Sequence, residues 1–258
     1  MELENKIAIV TGGASGLGRA TSEGLVNKGI KVAIFDLNEE SGIQAVNELG
    51  ADNAMFVSVD VTNPESVASA ITKVMEAYGA IHILVNCAGI APAAKVLDRE
   101  GKAMPLSKFA TAININLIGT FNVASQVAEQ MAKNEALGEA LERGVIVNTA
   151  SVAGYEGQMG QSAYAASKGG IIALSLPMAR DLARTGIRVN AVAPGIMGTP
   201  MLLGMPDNVQ ESLVANIQFP KRMGLPKEFA DLVIHIASNA YINGETIRLD
   251  GAIRMQPR

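Results

Sequence analysis

Three side chains in the second half of the chain have the types and spacing to move a proton at an alcohol oxygen. Ser151 ends a short apolar run, a Gly-rich stretch follows, and Tyr164 and Lys168 then stand four residues apart within SVAGYEGQMGQSAYAASK. On a helix that separation puts both side chains on one face. A tyrosine with its ordinary pKa of about 10 is a poor base at neutral pH. An ammonium one turn away favours the phenolate and draws that value toward the working range. Ser151 is placed to hydrogen-bond the substrate oxygen and the charge developing on it. Tyr-x-x-x-Lys also arises often by accident on helices, so its weight comes from what precedes it.

What precedes it is a loop built for a phosphate. An apolar strand, Ile7 to Val10, runs into Thr11-Gly-Gly-Ala-Ser-Gly-Leu-Gly18, a helical pattern follows to Lys28-Gly29, and a second apolar strand, Lys31 to Phe35, ends in Asp36. A strand–loop–helix–strand unit of about 30 residues, with an acid about 20 residues past the glycines, is the context of a dinucleotide-binding turn. Gly12, Gly16 and Gly18 let the backbone turn sharply and approach a pyrophosphate, whose charge meets the helix N-terminus. The carboxylate of Asp36 can accept hydrogen bonds from ribose hydroxyls and would repel a 2′-phosphate. Neither Ser15 nor Leu37 offers a cation to offset it. The expected cofactor is NAD rather than NADP.

The alternation continues down the chain. Strands are expected at Ala54–Val59, Ile81–Val85, Val145–Thr149, Ile187–Ala193 and Thr246–Leu249, the fifth strand of the chain delivering Ser151. A helix is expected through Val67, Ala70, Ile71 and Val74, another around Asn114 and Asn116, and a long one carrying Tyr164 through Pro177, which should kink it or cost one backbone hydrogen bond. Residues 91–108 read as a polar surface excursion, and Asn134 to Arg143 as a solvated charged loop or helix face. Residues 196–222, rich in Met, Pro and Gly, read as a mobile lid more than a packed element. Strands alternating with helices at this spacing give an α/β fold: a single domain, 1–258, with a doubly wound parallel (Rossmann) sheet of about seven strands and helices on both faces.

Composition narrows the rest. At 258 residues and 48% apolar, the chain can bury one large core. A formal charge of −4 leaves no electrostatic footprint for nucleic acid. No apolar run approaches the roughly 18 residues of a membrane span, and MELENKIAIVTGG lacks the pattern of a signal or transit peptide. A soluble, cytoplasmic protein is expected. Cys87 stands alone, so neither a disulfide framework nor a multi-cysteine metal site is expected, and a small hydrophobe at a strand end explains it better than a nucleophile. His82 and His235 lack spaced partner ligands, so no metal is expected.

Thr11-Gly12-x-x-x-Gly16-x-Gly18, Asn86-x-Ala88-Gly89, Asn116, Ser151, Tyr164-x-x-x-Lys168 and Pro194-Gly195, in this order, resemble the motif set of the short-chain dehydrogenase/reductases over essentially the whole chain. NCAGIA, NLIGTFNV, NTASVAGYEGQ and the terminal NGETIRLDGAIRMQ resemble the subgroup of type II 3-hydroxyacyl-CoA dehydrogenases, which also oxidises 2-methyl-3-hydroxyacyl-CoA and some hydroxysteroids. The resemblance implies that Tyr164 is the acid/base, that Ser151 orients the substrate oxygen, and that Lys168 binds the nicotinamide ribose and lowers the tyrosine pKa. Asn116 would hold a water linking Lys168 to solvent. Asn114 is its rival, but Asn116 stands in the matching setting with Gly119. Ser15, Leu17, Asp36, Asp60, Val61, Cys87, Ala88 and Gly89 would line the adenosine and pyrophosphate side, and Pro194, Gly195, Met197 and Thr199 the nicotinamide end. The resemblance also implies a homotetramer. Two features depart from the wider family: Cys87 replaces a more usual asparagine, and Ala252 follows Asp250-Gly251 where many relatives have glycine.

Three functions remain open at this point: reversible oxidation of a 3-hydroxyacyl-CoA, oxidation of a hydroxysteroid or other secondary alcohol, and NAD sensing without turnover. Competent residues at all four catalytic positions speak against the last. Lys95, Arg99 and Lys102 are candidates to meet the phosphates of coenzyme A.

Overall fold

The computed structural model describes residues 1–257. Its strands are β1 (Ile7–Thr11), β2 (Lys31–Asp36), β3 (Ala54–Ser58), β4 (Ile83–Asn86), β5 (Gly144–Thr149), β6 (Ile187–Pro194) and β7 (Thr246–Leu249). They form one sheet in the order β3-β2-β1-β4-β5-β6-β7, every neighbouring pair parallel. Strand order reverses between β1 and β4, where the register sets Thr11 beside Asn86. The loops after these two strands therefore leave the sheet side by side, and an open parallel sheet offers its ligand crevice there.

Among the described residues the α-helices are α1 (Gly16–Val26), α2 (Glu39–Leu49), α3 (Pro64–Tyr78), α4 (Leu106–Ile113), α5 (Gly119–Met131), α6 (Ser162–Leu182), α7 (Pro200–Leu203), α8 (Asp207–Ala215) and α9 (Pro226–Ser238). The strands are apolar on both faces because both faces are covered. Along β1, Ile7 and Ile9 enter one core with Val67 and Ile71 of α3, Val123 and Val127 of α5 and Met178 of α6. Ala8 and Val10 enter the other with Leu25 of α1, Ala45 of α2, and Phe229 and Val233 of α9. Each fully buried Leu, Ile or Phe contributes about 1.5–3 kcal/mol of transfer free energy, so this two-sided burial is what holds the strand ends in fixed register.

Local chemistry sets the helix ends. The Asn63 side chain accepts from Ser66 N at 3.0 Å, Pro64 occupies the first turn of α3, and Gly79 ends it in the left-handed region. Asn38 caps α2 the same way through Ser41 N, with Glu39 and Glu40 in the first turn. No helix among the described residues is long and apolar enough to cross a membrane.

The structure departs from the expectation, or adds detail to it, in three places. The excursion after β4 ends earlier, because α4 starts at Leu106 directly after Pro105. Residues 196–222, read as a lid, contain two helices: Pro200 starts α7 and Asp207 stands in the first turn of α8, each a favourable residue at a helix N-terminus. α8 buries none of its residues, while Met197 and Ile217 on either side of the two helices are anchored in the interior. The charged loop before β5 is not fully solvated. Glu142 is buried and ion-paired with the buried Arg188 at 2.7 Å, and Arg188 also donates to the carbonyl oxygens of Ile236, Ala237 and Ile242 around the end of α9.

Candidate active site

The site is assembled from backbone turns at the carboxyl ends of β1, β4, β5 and β6. After β5 the chain passes Ala150 to Ser151, whose extended backbone and hydroxyl cap a short 3-10 turn, the oxygen accepting from Ala153 N at 3.1 Å. α6 then brings Tyr164 and Lys168 back over the strand end. The Lys168 ammonium donates to the Thr149 carbonyl oxygen at 2.6 Å and lies 6.0 Å from the centre of the Tyr164 ring. The Ser151 hydroxyl stands near enough to the Tyr164 phenol to favour its charged form. Ser151, Tyr164 and Lys168 are thus brought together.

The electrostatics differ from the expectation that the lysine lowers the tyrosine. Burial pushes the Tyr164 phenol above its ordinary value, and Ser151 is the group that pulls it back. Lys168 is itself buried, and loss of solvent draws its ammonium down to about 8, opposed by the Cys87 thiol. Both groups are disfavoured in their charged forms by the same desolvation. At neutral pH the lysine is still mostly the ammonium, but desolvation makes it easier to deprotonate than an ordinary surface lysine.

Asn116 is fully buried, whereas Asn114 is exposed. It sits in a single π-helical turn, Asn114–Ile118, inserted between α4 and α5; such turns often mark functional positions. Its side chain pairs with the Ile90 backbone in both directions, accepting from N at 2.8 Å and donating to O at 2.9 Å, and also donates to Ser167 Oγ at 3.0 Å. A Cβ on Gly89 would come 3.1 Å from Asn116 Oδ1 and 3.7 Å from Lys168 Nζ. Gly89 is thus where asparagine and lysine converge, and any larger residue would intrude between them.

The cofactor side follows from β1 and β2. Gly12 has φ +61, and a Cβ there would meet Ala88 N at 2.9 Å, so only glycine lets the loops after β1 and β4 approach this closely. Thr11 Oγ1 accepts from both Cys87 N and Ala88 N at 3.1 Å, fixing that approach. Behind them Asn86 donates to Asn148 Oδ1 at 2.9 Å, tying β4 to β5. Ser15 precedes α1 with no side-chain cap, so the first-turn amides of Gly16, Leu17 and Gly18 are not engaged by it. Asp36, at the end of β2, accepts from Ala14 N at 3.2 Å and Asn38 N at 3.1 Å, which orients the carboxylate and leaves lone pairs for further donors. Asp60 closes its own turn through Thr62, and the Val61 carbonyl accepts from Asn122. Across the groove, a Cβ on Gly16 would come 3.6 Å from the Thr199 methyl. Gly195 N donates to Leu249 O at 2.9 Å, and Met197 is buried behind this wall, which continues from Pro194 at the end of β6.

These features fit a dinucleotide: a glycine cradle that a Cβ would fill, an uncapped helix N-terminus and an oriented carboxylate on one strand end. The cation on α1, Arg19, is held by Glu48 at 2.8 Å. Cys87, half-buried, accepts from Thr149 Oγ1 at 3.4 Å, and burial pushes its thiol up to about 11. Among the described residues no group of three or more His, Cys, Asp or Glu could hold a metal ion. Sequence reasoning missed the Thr149 carbonyl, Ile90, Ser167 and the Thr11 hydroxyl. Thr11 alone left a trace, standing in the quoted Gly-loop motif; the others act through backbone or through tertiary contact.

Residues 6–209 match the family model of the short chain dehydrogenases. The chain is 50% identical over 252 residues to a 3-hydroxyacyl-CoA dehydrogenase type-2 of Bos taurus, covering 97% of this chain and 96% of the relative. It is 46% identical to the protein of that name from Drosophila melanogaster, covering 99% of this chain and all of the relative. The crystal structure of 3-hydroxyacyl-CoA dehydrogenase type-2 from Mycobacterium avium superposes with a TM-score of 0.93 at 44% identity, over 98% of each chain. A Gly-cradled groove at the strand-order reversal, a Ser–Tyr–Lys cluster beside it and these full-length likenesses have one meaning: the chain belongs to the short-chain dehydrogenase family, oxidoreductases that work with a nicotinamide cofactor.

Proposed function

We propose that the protein is an NAD-dependent dehydrogenase that interconverts 3-hydroxyacyl-CoA and 3-ketoacyl-CoA. The observation that carries this reading is full-length identity of 46–50% to proteins named for that activity, supported by the Ser151, Tyr164 and Lys168 cluster. A bound nicotinamide supplies the acceptor for the hydride that leaves the carbinol carbon. Ser151 Oγ hydrogen-bonds the substrate oxygen, and Tyr164 Oη takes its proton during oxidation or returns it during reduction. Lys168 holds the ribose and, with its ammonium drawn down to about 8, passes the proton onward. Asn116 positions Ile90 and Gly89 around that ammonium. Its Oδ1 keeps a second lone pair, which would take the relay water. Gly12, Ser15, Gly16, Leu17 and Gly18 would receive the pyrophosphate, Asp36 the adenosine ribose, Asp60, Val61 and Cys87 to Gly89 the adenosine side, and Pro194, Gly195, Met197 and Thr199 the nicotinamide end. One domain, 1–258, would carry the whole site, with residues 196–222 closing over it.

Asp36 supports NAD over NADP because a 2′-phosphate would meet a carboxylate, with the exposed Leu37 beside it offering no cation. Exposed Ile118 and Phe121 on the run from α4 to α5, with Leu176 on α6, support a homotetramer built through these helices. We place the enzyme in the cytoplasm, where a lone thiol stays reduced. The test is NADH absorbance with acetoacetyl-CoA, repeated with NADPH. Rapid oxidation of NADH and little of NADPH is the expected result. Inertness toward acetoacetyl-CoA with turnover of a hydroxysteroid would move the substrate assignment, and a preference for NADPH would overturn the role of Asp36.

A further inference from the structure

A cleft of about 380 Å³ opens between the excursion after β4, the start of α4 and the start of α6. Its walls include Ile90, Pro92, Met104, Thr111 and Ala163. Two of these adjoin residues of the proposed chemistry: Ala163 precedes Tyr164, and Ile90 is the residue clamped by Asn116. Ala94 N donates to Gly160 O at 2.8 Å, joining the excursion to the loop between Ser151 and Tyr164 and bounding the cleft. The walls are apolar apart from Thr111, whose hydroxyl is spent on Ser107 O at 2.8 Å, and one charged side chain, Lys108.

Lys108 is an exposed cation in the first turn of α4. The ion pairs that lysine side chains form lie elsewhere, at Lys133 and Lys227, and Lys108 has none among the described residues. A lone, unpaired ammonium on an apolar cleft is arranged for an anion on an otherwise uncharged ligand. The protein carries a formal charge of −4, which repels a polyanionic substrate at long range, so a local cation at the mouth of the site has the most to offer. Lys95, Arg99 and Lys102 are exposed on the excursion and do not line this cleft.

We infer that the cleft beside Tyr164 takes the uncharged arm of the thioester substrate and that Lys108 receives a phosphate at the far end of that arm. This rests on the acyl-CoA reading and adds to it a residue that distinguishes a phosphorylated carrier from a bare thioester. Lys108 is a specificity residue and touches no reacting atom.

The experiment compares wild type, Lys108→Gln and Lys108→Glu with two substrates, acetoacetyl-CoA and the neutral acetoacetyl N-acetylcysteamine thioester. The readout is the ratio of kcat/KM for the two. The ratio is expected to fall roughly threefold to fivefold in Lys108→Gln, the scale of an exposed charge pair, and further in Lys108→Glu. The fall should sit in KM for acetoacetyl-CoA, and it should shrink in 0.5 M salt as screening shortens to a few ångströms. Free coenzyme A, as a competitive inhibitor, should weaken in parallel. An unchanged ratio with a wild type that turns over acetoacetyl-CoA overturns the role of Lys108 and leaves the acyl-CoA reading standing. An equal loss with both substrates also overturns it, because the residue would then be shaping the cleft. A wild type inert toward both thioesters overturns both readings.

Discussion

Lys168 Nζ and the carbonyl oxygen of Thr149 are 2.6 Å apart, so the proposed proton-carrying lysine of α6 is bolted to the strand that delivers Ser151. That bond makes the Ser–Tyr–Lys geometry a property of the packed sheet rather than of a loop. The same packing takes the ammonium out of water, and that desolvation, acting against the hydrogen bond, draws it down to about 8.

A pH profile tests this. Oxidation needs a deprotonated relay, so kcat/KM for the hydroxy substrate should rise with pH through about 8 and then level, and the reduction rate should fall over the same window. In Lys168→Met the phenol loses its neighbour, and burial alone already holds it above its ordinary value. The rise should then move to higher pH, with turnover at pH 7 lower by roughly 100-fold or more. An inflection that stays near 8 in the variant would show that another group sets it.

The thiol of Cys87 lies against the same strand ends yet is expected to be chemically quiet. Its ordinary value of 9.0 is raised to about 11 by burial, which cuts the thiolate at neutral pH by about 100-fold. Raising pH toward 11 restores the thiolate. Iodoacetamide labelling followed by intact mass should therefore be about 100-fold slower in the native protein than in the unfolded chain at pH 7.5. Labelling at the unfolded rate would mean the thiol is not held as described.

Removing one member of a buried ion pair leaves the other unpaired. Glu142→Ala should cost about 3–5 kcal/mol by urea unfolding, because Arg188 and the N-terminal ammonium of Met1, which pairs with the same carboxylate at 3.0 Å, then lose their counter-charge. Replacing Glu142 and Arg188 together by apolar residues should cost less than the sum of the single changes. A loss below about 0.5 kcal/mol in Glu142→Ala, the size of an ordinary surface change, would contradict the pairing.

How much of this was legible in the residues depended on whether the signal was local. The Gly12–Gly18 loop, Asp36 and the Tyr164–Lys168 spacing are local patterns, and the structure assembles them at neighbouring strand ends. Strand edges moved by a residue or two, as at β4, which starts at Ile83. α2 was not singled out, although Asn38, Glu39 and Glu40 mark its start and Gly50 its end. The π turn holding Asn116 changes no residue pattern, since it only inserts one extra residue into a helical run. Glu142 looks like a loop acid until Arg188, 46 residues away, arrives beside it. The Thr149 carbonyl is backbone, which any residue type would provide. The reversal of the Tyr164 shift had the same root: spacing shows that a lysine is near, and only packing shows that both groups are out of water.

The central claim is that Tyr164 moves the proton, and Tyr164→Phe tests it most directly. The ring and its packing remain and the hydroxyl goes. NADH binding, read by fluorescence titration, should stay within about twofold, while acetoacetyl-CoA reduction should fall by roughly 100- to 10,000-fold, the usual worth of a positioned acid or base. Reduction within tenfold of wild type, with NADH still bound, would contradict the assignment.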